Sequence, residues 1–217
     1  MSLELLSKTS QIFWDFDGVI KESTSIKSFA YKEMFSQYGD KILKQVLEHH
    51  NKYEGVSREV KIPFYFNEFV GIKLSLQEME EKCNEFSGKV IQKVIDSSWV
   101  EGVLHFLKFN PFHQRFVLIT GTPYLEIVKI LTSLEIIECF QCVYGSPMTK
   151  IEALDQEIKP ETELKKCLFI GDSLTDYEAA NAYDIPFLLR ENESNEKLFL
   201  NYTGARFKDF KEFNEST

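Results

Sequence analysis

Asp15 and Asp17 stand one residue apart at the end of an apolar run, Ile12-Phe13-Trp14, and Gly18-Val19-Ile20 follows them. The apolar run reads as a buried strand. Gly18 lets the chain turn sharply where the strand stops. In an open α/β sheet, ligands bind at the carboxyl ends of the strands. Side chains at i and i+2 point the same way, so both carboxylates face one place. Like charges there are costly unless a cation or a shared proton compensates them. A hard cation with oxygen ligands, magnesium first, meets that need. An Asp-rich surface turn is the plain alternative. It loses ground because three further pieces follow in order: Leu118-Ile119-Thr120-Gly121-Thr122, Lys150, and Gly171-Asp172-Ser173-Leu174-Thr175-Asp176.

Together with Asp15-Phe16-Asp17-Gly18-Val19, these pieces resemble the four sequence motifs of the haloacid dehalogenase-like (HAD) hydrolase superfamily. The resemblance covers the whole core of the chain. It implies that Asp15 is a nucleophile that forms an aspartyl-phosphate, with its other oxygen on magnesium. It implies that Asp17 is the general acid/base and places its backbone carbonyl on the same metal. The dehalogenases lack a carboxylate at this position and transport ATPases carry threonine; a second Asp is the pattern of phosphatases and phosphomutases. Thr120 and the Gly121 amide suit phosphate oxygens, with a helix N-cap as the alternative for Thr120. Lys150 offsets negative charge on the transferring group and on Asp15. Lys159, followed by Pro160, competes for that role. Spacing favours Lys150, which leaves room for a helix over Ile151 to Ile158 before the next strand. Asp172 is expected on the metal. Asp176 binds it directly, binds through water, or orients Lys150. Ser173 is a helix N-cap candidate beside them.

The function this implies is a Mg2+-dependent phosphatase acting on a small phosphorylated metabolite, a sugar phosphate or a phosphoglycolate-like acid. One alternative is a phosphomutase of the β-phosphoglucomutase type, whose members carry a histidine ten residues after the acid/base Asp. Lys27 stands at that position here. Another is a regulatory relative without catalysis, against which the full set Asp15, Asp17, Lys150 and Asp172 argues.

The elements that must position these residues alternate. Strands are expected over Phe116 to Thr120, Cys142 to Gly145, Cys167 to Ile170 and Ile185 to Leu189. Helices are expected over Val100 to Phe109, Pro123 to Leu131, Thr149 to Ile158 and Leu174 to Tyr183. Such alternation predicts a Rossmann-like parallel sheet with helices on both faces. Ala205 to Thr217, with Phe207, Phe210 and Phe213, reads as a docking strand or helical turn. Between the first strand and the second, the pattern is helical from Glu22 to about Ile95. Ile26, Phe29, Ala30 and Met34 share one face. Asp40 is a candidate cap for a helix carrying Ile42, Leu43, Val46 and Leu47. Pro63 predicts a kink or a late start in an aromatic-rich stretch. Ser75-Leu76-Gln77-Glu78 is a capping box. A βαβ crossover needs one helix, and this block is far longer. By resemblance it is a helical cap over residues 21–95, inserted into an α/β core of 1–20 and 96–217, with hinges near Lys21 and Val94. The cap is expected to supply specificity, with Arg58 and Lys61 as substrate contacts and His49, His50 and Lys27 beside them.

With 217 residues and 43% hydrophobic content, the chain can build one sizeable core with a small appendage. A net charge of −9 without Lys/Arg clusters argues against nucleic acid and anionic membranes as partners. No apolar run reaches membrane-spanning length, and Met1 to Thr9 has no signal-type segment. Cys83, Cys139, Cys142 and Cys167 read as free thiols, which fits a reducing cytoplasm. The sequence leaves the oligomeric state open.

Overall fold

The computed structural model describes residues 2–53 and 55–214. Met1, Glu54 and the end of the expected C-terminal docking segment, 215–217, lie outside the described residues. A short helix, α1 (Ser2–Ser7), leads into β1 (Gln11–Trp14). Four helices follow, α2 (Thr24–Phe35), α3 (Asp40–Lys52), α4 (Arg58–Tyr65) and α5 (Leu76–Asp96). The chain then alternates through α6 (Val103–Phe109), β2 (Arg115–Pro123), α7 (Tyr124–Ser133), β3 (Cys142–Ser146), α8 (Lys150–Glu157), β4 (Cys167–Gly171), α9 (Leu174–Ala182) and β5 (Phe187–Arg190). It ends in β6 (Ala205–Phe207) and α10 (Lys211–Asn214).

The strands form one sheet in the order β3-β2-β1-β4-β5-β6, and every pairing is parallel. This is the Rossmann-like α/β fold expected from the alternation. β1 sits mid-sheet, with Trp14 level with Leu118 on one side and Ile170 on the other. Side-chain alternation divides the core. Ile12, Trp14, Phe116 and Leu118 pack on one face with Phe106, Ile127 and Phe210. Phe13, Val117, Ile119 and Phe169 pack on the other with Leu154 and Ala180. The C-terminal segment supplies both a strand and a helical turn. Its Phe210 ring stacks on Trp14 at 5.4 Å, so the tail closes the core under the central strand.

The four helices between β1 and β2 pack on one another around Tyr31, Phe35, Tyr65, Phe66 and Phe86. The capping box at Ser75 forms. Three local expectations change. Gly39, not Asp40, occupies the N-cap of α3, and Asp40 is the first helical residue, where its charge favours the positive end of the helix. Phe29 is 44% exposed; the buried face of α2 runs through Tyr31, and the Lys93 ammonium covers the Phe29 ring at 4.2 Å. Helix α4 starts at its Ser57 cap, runs through Pro63 and opens into a wider π turn over Phe66–Val70.

The two passages between sheet and helical insert are tied together at Lys21, which bridges to Asp17 and to Trp99. Its buried ammonium donates to the Ile95 carbonyl at 3.0 Å. The four cysteines are free. No helix among the described residues is long and apolar enough to cross a membrane.

Candidate active site

The site lies where β1, β2 and β4 end and α8 and α9 begin. Asp15 is the first residue past β1, and its amide donates to the Ile170 carbonyl at 3.0 Å, which holds it level with the end of β4. Lys150 opens α8 behind a Thr149–Glu152 capping box. Its ammonium lies 3.0 Å from Asp15 Oδ1 and also pairs with Asp176 Oδ1. The other Asp176 oxygen accepts from the Ser173 amide at 3.0 Å and the Ser173 hydroxyl at 2.5 Å. Asp176 therefore orients Lys150 while it caps α9. Ser173 is the N-cap of that helix.

Asp172 follows β4. Its Oδ2 accepts from Asn192 Nδ2, and its backbone carbonyl accepts from Asn195 Nδ2, both at 2.8 Å. Gly18 turns at φ +74°, and a side chain there would collide with the Asp172 carboxylate. The loop after β1 can approach Asp172 only without a Cβ.

Carboxylate oxygens of Asp15, Asp172 and Asp176 all lie within 4.8 Å of one another, and all three residues are buried. Three ionised carboxylates facing one ammonium would leave a double negative charge in a buried place. Burial, and then repulsion from Asp176, push the Asp15 carboxyl up to about 7 against the pull of Lys150. Burial opposes charge on Lys150, but Asp15 and Asp176 more than offset it and hold its proton above the ordinary lysine range. A divalent cation with oxygen ligands fits this donor set and its charge.

Asp17 has a different environment. Ser23 Oγ donates to one of its oxygens at 2.6 Å. The Thr122 hydroxyl donates to the other at 3.2 Å, and the Lys27 ammonium pairs with that same oxygen. Burial works to raise the Asp17 carboxyl, but Lys27, with Ser23 and Thr122, brings it below the usual carboxylate value. Lys27 also reaches Thr122 Oγ1 at 3.0 Å, so one residue of the helical insert touches both Asp17 and β2.

The insert closes over the site through further polar contacts. Arg58 donates to Glu126 of α7 at 2.6 Å and to Ser87 at 2.8 Å. Ser57 and Glu59 both meet Ser146 at the end of β3. Gly121 lies against the Gly55 carbonyl. A cavity of about 30 Å3 remains, lined by Asp15, Asp17, Thr120, Gly121 and Asp172 below and by Lys27, His50, Arg58 and Lys61 above. That is room for about two water molecules.

Asp15, Asp17, Thr120, Gly121, Asp172, Lys27, His50, Arg58 and Lys61 thus line this cavity, with Lys150 and Asp176 joined to Asp15 behind it, although the Arg58 guanidinium is committed to Glu126 and Ser87; Lys159 and His49 are not at the cavity. Lys159 is exposed and donates to the Gln156 carbonyl, on the surface beyond α8. His49 contacts Tyr65 Oη at 3.2 Å in the aromatic packing of the insert. Four contributors went unnoticed in the sequence. Thr122 carried a signal, since it sits two residues after Thr120 and so shares its side of the strand. Ser23, Asn192 and Asn195 carried none, because only the tertiary fold brings them to the aspartates.

A central acidic strand end, flanked by a lysine and a second acidic loop, lies at the carboxyl ends of the strands, where open α/β sheets bind their ligands. Residues 12–189 match the haloacid dehalogenase-like hydrolase family, and the chain belongs to that family. No curated protein sequence matches the chain. Among solved structures, a β-phosphoglucomutase from Clostridium difficile aligns with TM-score 0.72 and 15% identity, covering 96% of each chain. A predicted phosphoglycolate phosphatase from Haemophilus somnus aligns with TM-score 0.68 and 16% identity, covering 96% of this chain and 98% of its own. A Bacillus subtilis protein assigned as a HAD hydrolase, bound to magnesium and described as showing interdomain movement, aligns with TM-score 0.67 and 13% identity over 96% and 98%. At these identities the likeness speaks for the fold alone.

Proposed function

We propose that this hydrolase is a Mg2+-dependent phosphatase for a small phosphorylated metabolite, a sugar phosphate or phosphoglycolate-like acid, and that α2–α5 are its cap. The observation that carries the reading is the place of Asp15 at the strand end, 3.0 Å from the Lys150 ammonium and grouped with Asp172 and Asp176 in a buried acidic cluster that fits a divalent cation. Asp17, one residue on, has partners of its own in Ser23, Thr122 and Lys27. Asp15, on Lys150, is the nucleophile. One of its oxygens forms a bond to phosphorus as the ester oxygen leaves, and Asp17, which must take up a proton as Lys27 moves off it with the insert, gives that oxygen the proton. Asp17 then takes a proton from the water that attacks the aspartyl-phosphate, releasing inorganic phosphate and restoring Asp15. Lys150 steadies negative charge on Asp15 and the transferring group. Thr120 and Gly121 face that group from the end of β2. Asp15 and Asp172, with the Asp17 backbone carbonyl, are the residues that would hold Mg2+, and Asp176 supports Lys150. When bound, the metal would supply positive charge to the phosphoryl oxygens.

The cavity left in this arrangement, about 30 Å3, is too small for a phosphorylated metabolite, so the cap must swing away for entry and close around the substrate in a wider arrangement for reaction. The Lys21 bridge beside Asp17 is the natural pivot. The test is phosphate release from a panel of small phosphomonoesters, with Mg2+ and with chelator, for the native chain and for Asp15→Asn. Release that needs Mg2+ and disappears in Asp15→Asn is the expected result. Release that survives Asp15→Asn would sink the aspartyl-phosphate step. Turnover seen only with an added bisphosphate would replace hydrolysis with a mutase reaction.

A further inference from the structure

His50, on α3, is 2% exposed and lines the cavity on the insert side. Its Nδ1 lies 3.1 Å from the Lys61 ammonium. An ammonium has only donors, so Nδ1 accepts, and the proton of a neutral imidazole sits on Nε2. Burial, followed by Lys61, Lys27 and His49, drives His50 well below the ordinary histidine value and keeps the ring neutral. The result is one N–H of known tautomer in a buried place. Nε2 has no partner among the described residues. Three other buried side-chain atoms share that condition, on Gln11, Trp14 and Gln114, but none of those residues lines the cavity. A buried unmatched donor costs roughly 1–3 kcal/mol, and at the wall of a substrate cavity the simplest relief is a ligand atom.

The charge around it selects the kind of atom. The insert side of the cavity carries Lys27, Arg58 and Lys61 and, among the described lining residues, no acid. The acids that line it, Asp15, Asp17 and Asp172, all lie on the sheet side. Arg58 is paired with Glu126; the charges that act on the His50 ring are Lys61 and then Lys27, and their sign favours an anion at the far end of the substrate from the scissile phosphate. Arg58, the fork best suited to a second phosphate, is already spent on Glu126 and Ser87. A carboxylate needs less: a compact pair of oxygens, one of them on the imidazole N–H.

We propose that His50 Nε2, with Lys61 fixing its tautomer, is a subsite for a carboxylate on the leaving group, so that the substrate is a small phosphorylated carboxylic acid. This rests on the phosphatase reading above and chooses between its two substrate classes. His50 acts here as a specificity residue and Lys61 as the residue that positions it.

The test compares esters that differ only at that end: 2-phosphoglycolate against 2-hydroxyethyl phosphate, with glycerol bisphosphate as the second-phosphate arm. For the native chain, kcat/KM should favour 2-phosphoglycolate over 2-hydroxyethyl phosphate by about tenfold or more. His50→Phe keeps a ring against Tyr31, which lies at 4.7 Å, but has no N–H; the ratio should fall to within about twofold. His50→Gln restores an N–H donor and should recover part of the ratio, which a purely structural role would not produce. A native ratio near one, a bisphosphate preferred over both, or a ratio unmoved in folded His50→Phe would each overturn the proposal. Calorimetry of the same three ligands separates the two readings. If nothing is hydrolysed, the phosphatase reading fails. Selective binding of 2-phosphoglycolate that is lost in His50→Phe would still establish the subsite, and equal binding of the esters would remove it.

Discussion

The two walls of the cavity are built on different terms. On the sheet side, Asp15, Asp176 and Lys150 form a closed network anchored at strand ends and helix starts. On the helical side, Lys27, His50, Arg58 and Lys61 come from three helices, and His50 Nε2 has no partner among the described residues. The sheet side is over-determined, as bond-making requires, because charge must meet charge without rearrangement. The helical side keeps a donor in reserve and reaches the sheet through contacts that can break. Chemistry asks for rigidity, and selection asks for an unfilled place.

The sharpest way to break this contrast is Asp15→Asn. Activity should fall by about 10^4-fold, measured as phosphate release. Its melting temperature should hold or rise, because the substitution removes a buried charge that faces Asp176. Loss of stability in parallel with activity would show that Asp15 serves the fold as much as the reaction. Next comes Lys150→Met, which leaves Asp15 and Asp176 facing each other. Urea unfolding should show a loss of about 3–5 kcal/mol, with part of it recovered when Asp176→Asn is added.

Arg58→Met sharpens the other side. It strands Glu126 in a buried position and should cost about 3 kcal/mol or less. The double variant Arg58→Met/Glu126→Leu should recover most of the stability and bring KM back toward the native value. Stability without recovery of KM would mean that Arg58 binds substrate rather than holding the insert closed. The smallest effect concerns pH. His50 is held neutral in the fold, while an unfolded chain protonates it near 6.5. The unfolded state therefore binds the extra proton as pH drops, and stability declines below that value. In His50→Gln the decline between about pH 7 and pH 5 should be shallower by about 2 kcal/mol, read from denaturant midpoints across that range.

How legible each wall was in the sequence follows from the same contrast. Asp15, Thr120 and Asp172 stand next to apolar strands whose period is local, so their place at the sheet edge could be read from their neighbours alone. Lys150 needed only the length of one helix to be separated from Lys159. The insert was legible as helices, and Ser75 and Glu78 marked one start correctly. Its faces were harder. Phe29 fits the inner face by spacing but lies outward, because α2 turns Tyr31 toward His50 and Phe86 instead. Arg58 looked free to fork onto a ligand; its partner Glu126 is sixty-eight residues away, beyond any pattern a helix repeat can carry.

The sequence by itself determined the strands, the acidic loops that follow them and the family to which they belong. Those features are written in periods of two and of three to four residues, and in turns that only certain side chains tolerate. Tertiary structure decided which oxygen meets which ammonium. It brought Asn192 and Asn195 onto Asp172, set Lys27 against Asp17, and left the His50 donor without a partner among the described residues. Such pairings join distant segments, and their energies depend on burial, which exists only once the chain has folded.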